Sequence, residues 1–260
     1  MKRMLAEMTT EEVAGIDKNL AIAMLPIAAH EQHGPHLPIG TDTYILNGVL
    51  EEFIKILPDD LPLVVTPSIP IGKSNEHMPF AGTLSFSYET LLGVVHDICK
   101  SLARHGFRKI AIFNAHGGNT DILTSLCRDL RDQLNVRVFV IDWWFTNFWA
   151  DILAELQESP RDGVFHACEL ETSIMMHLRP ELVNTDRMAP CFPPEQLRRN
   201  KYVTIFGPVT MGWLTPDLAP TGVIGDPTKA SAEKGRRFVA FAAGRLVEIA
   251  REIAALENLG

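Results

Sequence analysis

Short apolar runs and amphipathic stretches alternate along the chain. "LAIAMLPIA" (20–28), "LPLVVTPSIP" (61–70), "RKIAIFN" (108–114) and "VRVFVID" (136–142) are rich in Ile, Leu and Val, as strands buried on both faces are. Between them, "TYILNGVLEEFIKIL" (43–57), "YETLLGVVHDICKSLARHG" (88–106) and "DILTSLCRDLRDQL" (121–134) show the i, i+3, i+4 spacing of helices with one apolar side. In the second, Leu91, Val94, Val95, Ile98 and Leu102 form one stripe, and Gly106 closes it in the C′ position. The predicted fold is α/β, three layers (α/β/α) with a mostly parallel, doubly wound central sheet. A last long helix over 229–256 reads as a cover for that sheet or as a subunit contact. From about 180 to 228 the chain is irregular. No repeat, low-complexity tract or Gly/Ser linker divides it, so one domain across 1–260 is expected.

In an open parallel sheet, sites form where loops leave the carboxyl ends of the strands. The first apolar run leads straight into "AAHEQHGPHLPIGTD" (28–42), with His30, Glu31, His33, His36 and Asp42. Glu31 and His33 are two apart and point the same way in extended chain. Pro35 and Pro38 stiffen the loop that returns Asp42. The third run leads into "NAHGGNTD" (114–121), where His116 is followed by two glycines that let the backbone turn tightly and approach a ligand. "HACELETS" (166–173) adds His166, Cys168, Glu169 and Glu171. Mixed imidazole and carboxylate donors suit a divalent metal such as zinc or manganese. If the last segment is helical, Glu169 and Glu171 lie about 200° apart and cannot both face one site; the sequence does not choose between them. His96, His105 and His177 fall within or at the ends of predicted helices and are assigned no chemistry.

Composition narrows the function classes. Hydrophobic residues make up 46% of the chain and charged residues 22%, the make-up of an ordinary globular protein. A net charge of −8 argues against nucleic acid as a partner. No run of about 18 apolar residues is present, so no membrane span is expected. "MKRMLAEMTTEEVAG" lacks the apolar core of a signal peptide, which makes the cytoplasm the expected location. The four cysteines, Cys99, Cys127, Cys168 and Cys191, are scattered without CxxC spacing. There is no GxSxG elbow, Walker loop or HExxH helix.

At these residues the chain resembles the creatininase family, the creatinine amidohydrolases and their relatives. "LPIAAHEQHGPHLPIGTD", "GKSNEHMPFAGTLSF" (72–86), "NAHGGN", "HACELETS" and "GVIGDPTKASAEKG" (222–235) resemble the family's motifs in order along nearly the whole chain. The resemblance implies a hydrolase with two divalent metal ions, zinc first, with manganese or iron as alternatives. Glu31, Asp42 and His116 would hold one, and His33, the bridging Asp42 and Glu171 the other. A water or hydroxide between them would be the nucleophile, and His166 would transfer a proton to the leaving group. Glu171 is thereby selected over Glu169 and counted with His166 in the catalytic set.

Ser74, Glu76 and His77 either reach the substrate or a neighbouring subunit's site, or brace a long loop. Gly117 is a candidate backbone contact, and Trp144 lines the pocket or fills the core. The resemblance also implies a homo-oligomer, hexamers among the forms. Creatinine-hydrolysing members resemble "HYEN" where this chain has His116-Gly117-Gly118-Asn119; Gly118 supplies no carboxylate, which points away from creatinine. The leading expectation is hydrolysis of a non-peptide C–N bond in a small, polar, cyclic amide. The alternative is metal-dependent C–C hydrolysis opening a cyclic ketone such as a 3-dehydro-inosose, and the third is a non-catalytic metal-binding subunit.

Overall fold

The computed structural model describes residues 2–144, 147–160, 162–205 and 208–256. Strands β1 (Ile22–Ile27), β2 (Leu63–Val65), β3 (Lys109–Asn114) and β4 (Arg137–Asp142) form a parallel sheet in the order β2-β1-β3-β4. The helices are α1 (Thr10–Ala14), α2 (Thr41–Ile56), α3 (Tyr88–Arg104), α4 (Thr120–Leu134), α5 (Ala150–Leu156), α6 (Glu169–Leu178), α7 (Glu195–Arg199), α8 (Thr215–Leu218) and α9 (Ala232–Ala255). Two further strands, β5 (Val164–His166) and β6 (Ile224–Gly225), pair antiparallel beside the sheet.

Alternation along the strands sends side chains to both faces, and each face has its own core. On one, Ile22, Met24, Ala111 and Phe113 pack with residues of α2, α6 and α9, among them Phe53, Ile174, Phe238 and Leu246. On the other, Ala23, Leu25, Ile110 and Ile112 pack with Leu91, Val95 and Leu102 of α3 and Leu123 and Leu130 of α4. The three-layer α/β/α arrangement with its parallel sheet is as the patterning predicts. The long C-terminal helix spends its apolar side as a cover, against α2 and α6.

Several boundaries differ from the sequence reading, the following three among them. β2 ends at Val65 instead of running to Pro70, because Pro67 and Pro70 lack the N–H a ladder needs. The chain rejoins the sheet only at Ile69, whose N–H donates to Pro26 O while its carbonyl accepts from Ala28 N. α2 begins at Thr41, so Asp42 sits in its first turn and not on the preceding loop. α9 begins at Ala232, capped by the Ser231 hydroxyl, with a separate turn at Pro227–Lys229 before it.

The helix that carries Glu169 and Glu171 is held by close contact with α9. A Cβ at Gly235 would lie 1.9 Å from Ser173 O and 2.9 Å from His177 Cβ, so the two backbones cross where only glycine fits. Gly235→Ala is expected to lower stability by about 1–3 kcal/mol, the usual cost of overpacking, read from the urea midpoint. An unchanged midpoint would mean that α6 and α9 separate freely.

Candidate metal centre

The carboxyl ends of the parallel strands bring the chemistry together, as the fold requires. β1 hands over to the loop that carries Glu31 and His33, and that loop is closed by Glu31 N donating to Ile39 O at 2.9 Å. Asp42 follows in the first turn of α2, where the helix dipole favours a carboxylate. β3 hands over to His116 and a tight turn at Gly117–Asn119. β5 ends on His166, and Ala167, buried with φ +51°, turns the chain into α6. A non-glycine residue held in that region stores strain, and here it lets His166 and Glu171 face the same space.

Glu31, His33, Asp42, His116 and Glu171 are all buried. Asp42 Oδ1 lies 3.2 Å from His33 Nε2, and Oδ2 lies 3.3 Å from His116 Nδ1. His116 Nε2 is 3.3 Å from Glu31 Oε2, and His33 Nε2 is 3.6 Å from Glu171 Oε1. Among the described residues, ligand-type atoms lie within 4.8 Å of one another in Glu31/Asp42/His116 and His33/Asp42/Glu171, and also in Glu31/His33/His166 and Glu31/Glu76/His77. Glu31 Oε2, His33 Nε2 and Asp42 Oδ2 are buried without a hydrogen-bond partner. Buried polar atoms are rarely left so unless an ion or water satisfies them.

The electrostatics separate the histidines into two kinds. Burial works against charge on His33 and His116, yet Asp42 and Glu171 hold His33 well above its ordinary value, and Glu31 and Asp42 raise His116 to about 10. Burial pushes Glu31 up, and the positive imidazoles draw Asp42 down against the same burial. His36, His77 and His166 go the other way, lowered first by burial, His36 to about 4 and His77 to about 2. Positive charge is thus demanded only where the carboxylates converge. That demand, the mixed N/O donors and the unpartnered atoms fit a divalent cation.

Glu169 and Glu171 diverge on α6 as helical spacing dictates. Glu169 turns away, accepting from the backbone N–H groups of Glu158 and Ser159 and, at 2.5 Å, from Lys234 Nζ. Cys168 is buried with its Sγ 3.9 Å from Glu171 Oε2, and burial pushes its thiol well above the ordinary range. Of the three histidines in the first motif only His33 joins the cluster. His36 lies behind it against Thr172 Oγ1 at 2.9 Å, and the backbone of His30 bridges to Leu84.

A cavity of about 190 Å³ opens beside the cluster. Glu31, Glu76, His77, His116 and Gly117 are among its polar lining residues, and Trp144, Val164, Phe165, Trp213 and Ile224 are its apolar ones. His77 is closer to the cluster than a loop brace would be, with Nε2 3.4 Å from Glu31 Oε1. Ser74 is buried 3.3 Å from His116 Nε2 and is not part of the cavity wall. Trp144 lines the cavity while donating to Ala115 O, whereas Trp143 and Trp149 belong to the core. Sequence reasoning missed Gln32, Trp213 and Thr215. Gln32 has the opposite parity to Glu31 and His33, and the other two lie on the irregular stretch where no periodicity marks them.

The creatinine amidohydrolase family model matches residues 6–250. The chain belongs to the creatininase family of hydrolases. It is 30% identical over 249 residues to the mycofactocin precursor peptide peptidase of Mycobacterium ulcerans, covering 91% of this chain and 87% of that protein. It is 29% identical over 248 residues to the creatinine amidohydrolase of Pseudomonas putida, covering 89% of each. Among solved structures, a mutant creatininase of the Zn–Zn type and a manganese creatininase each match with a TM-score of 0.81 at 25% identity, covering 98% of this chain and 100% of theirs. Those zinc and manganese forms and the donor set described above support a divalent metal. Among the described residues, no helix is long and apolar enough to cross a membrane.

Removing the Glu169 carboxylate orphans the backbone N–H groups of Glu158 and Ser159 and takes one of three acceptors from the Lys234 ammonium, which keeps Glu158 Oε1 at 2.7 Å and Lys229 O at 2.9 Å. Glu169→Ala should cost about 1–3 kcal/mol of stability in a denaturant titration while leaving metal content unchanged. Loss of metal in that variant would mean that Glu169 also serves the cluster.

Proposed function

We propose that the chain forms one catalytic domain that binds two divalent ions and hydrolyses the C–N bond of a small amide. The observation that carries this reading is the placement of Asp42, whose two oxygens face different imidazoles. Glu31, Asp42 and His116 would hold one ion, and His33, Asp42 and Glu171 the other. A divalent ion supplies Lewis acidity, polarising a carbonyl oxygen and acidifying water.

The chain's own residues orient the substrate and move the proton. His166 lies on the cavity wall with Nδ1 3.7 Å from Glu31 Oε1, so this nitrogen can take up a proton released by the attacking water and hand it to a leaving nitrogen held beside the cluster. Its burial excludes bulk water from that transfer. The Gly117 backbone and His77 line the cavity next to the cluster, where an amide would sit. Trp144 and Trp213 also line the cavity, favouring a substrate with a flat, partly apolar portion next to the amide. The cavity is smaller than the roughly 300–1,000 Å³ of drug-sized sites, which suits a small ring or one terminal residue of a longer chain. The same reading carries zinc as the first metal and a cytoplasmic homo-oligomer, with the family resemblance as its support.

Metal analysis and turnover test this together. The zinc- or manganese-reconstituted protein should hold two ions per chain. Asp42→Ala should lose both, and Glu171→Ala should keep one. On a panel of creatinine, aryl and pyrimidine formamides, hydantoin-like rings, short peptides and 3-dehydro-inososes, turnover should be confined to amides and vanish in Asp42→Ala. Turnover of the ketone alone would assign the protein to C–C hydrolysis, and binding without turnover to a non-catalytic role. Trp213→Ala should raise KM for aryl amides up to roughly tenfold, the worth of one aromatic contact, and leave metal content unchanged.

A further inference from the structure

Gln32 lies between two proposed ligands, is buried, and touches two histidines at once. Its amide orientation is set by two backbone groups of opposite character. Gly34 N–H, which can only donate, lies 2.8 Å from Oε1, and Gly222 O, which can only accept, lies 3.1 Å from Nε2. The side chain is also wedged in place, since a Cβ at Gly222 would lie 2.0 Å from Oε1. Nε2 therefore has two hydrogens to give, and one goes to Gly222 O.

The second hydrogen has two neighbours, His77 Nδ1 at 2.8 Å and His166 Nε2 at 3.0 Å. His166 Nε2 also lies 2.9 Å from the Gln32 backbone carbonyl. A carbonyl oxygen cannot donate, so that nitrogen must carry the proton. It is then closed to the Gln32 amide, and the second hydrogen goes to His77 Nδ1. Thr215 agrees with this, because its hydroxyl can donate to Glu76 O at 3.0 Å or to His77 Nδ1 at 2.8 Å. These tautomers are assigned from the hydrogen-bond network.

We infer that Gln32 is a positioning residue that fixes the proton of both His77 and His166 on Nε2, so that the two rings offer opposite groups to Glu31. His77 turns its N–H to Glu31 Oε1 at 3.4 Å, as a partner that orients a ligating carboxylate does. His166 turns a bare Nδ1 to the same oxygen at 3.7 Å. The rings lie side by side, with centroids 4.4 Å apart, and the Gln32 amide and backbone carbonyl distinguish them, with Thr215 beside His77 Nδ1. This arrangement of protons does not depend on which bond the enzyme cuts.

The test is a two-bond 1H–15N correlation spectrum of the full-length, zinc-loaded protein with 15N-labelled histidine, assigned through His77→Gln and His166→Gln. Both rings should show a protonated Nε2 and a proton-free Nδ1. A proton on Nδ1 of either ring overturns the inference. Gln32→Glu keeps an acceptor for Gly34 N–H and replaces the amide donor with a carboxyl oxygen facing Gly222 O and the two rings. In that variant the His77 proton should move to Nδ1 while His166 keeps its own on Nε2, and zinc affinity should fall about 10–100-fold. An unchanged His77 signal would show that Gln32 does not set it. Should the variant fail to fold, the wild-type spectrum still decides, because the tautomers are read without any substitution.

Discussion

Taking Glu31, Asp42 and Glu171 out of water together is the constraint that the rest of the molecule serves. An ion removed from water costs several kcal/mol even after relaxation, and three carboxylates within a few ångströms add mutual repulsion. Nothing in the local sequence offsets that. The compensation comes from imidazoles delivered by different strand ends, His33 after β1 and His116 after β3, and from whatever cation completes the set. Residues separated by some 140 positions must be held to fractions of an ångström, and a loop scaffold would not do so. The parallel sheet fixes the strand ends, α2 fixes Asp42, and α6, pressed against α9 at Gly235, fixes Glu171. The two cores are thus the means by which the charges are kept in place.

Polarity inside the site is divided as strictly as the backbone. His33 and His116 are surrounded by carboxylates and driven toward the charged form, while His36, His77 and His166 are kept neutral by burial. Positive charge is therefore confined to the metal side. The neutral rings keep one lone pair each, and hydrogen bonding alone decides where it points. The site needs neighbours such as Gln32, Thr172 and Thr215 for this reason, although none of them carries charge.

Much of the fold was legible because period and burial agree. The α3 stripe from Leu91 to Leu102 and the apolar runs of β1 and β3 point to one arrangement, and both cores use them. The positions of Glu31, His33 and His116 were legible because they stand where strands end. Glu169 and Glu171 were not separable without the family resemblance; the sequence shows that they diverge but not which side faces the sheet. Asp42 was misplaced by one structural category because Thr41 gives no strong signal that the helix has begun. Gln32, Trp213 and Thr215 make their contacts with His77, Gly222 and Phe165 across 45 to 190 residues of chain, and no local pattern encodes those.

Gly118 shows how a single missing side chain redistributes the chemistry. A Cβ there would lie 2.7 Å from Glu76 Oε1, 2.5 Å from His116 Nε2 and 2.4 Å from Lys73 O. A larger residue at 118 and Glu76 in its present place therefore exclude each other. A carboxylate does border His116, with Glu76 Oε1 3.8 Å from Nε2, but it arrives from the turn at Asn75–His77 and not from the turn after β3. The segment after His116 is left as bare backbone facing the cavity. A substrate approaching His116 meets the peptide groups of Gly117 and Gly118 with the Glu76 carboxylate directly beside them. A chain with a glutamate at 118 would have to present both from the same turn, so substrates that fit one arrangement have no reason to fit the other.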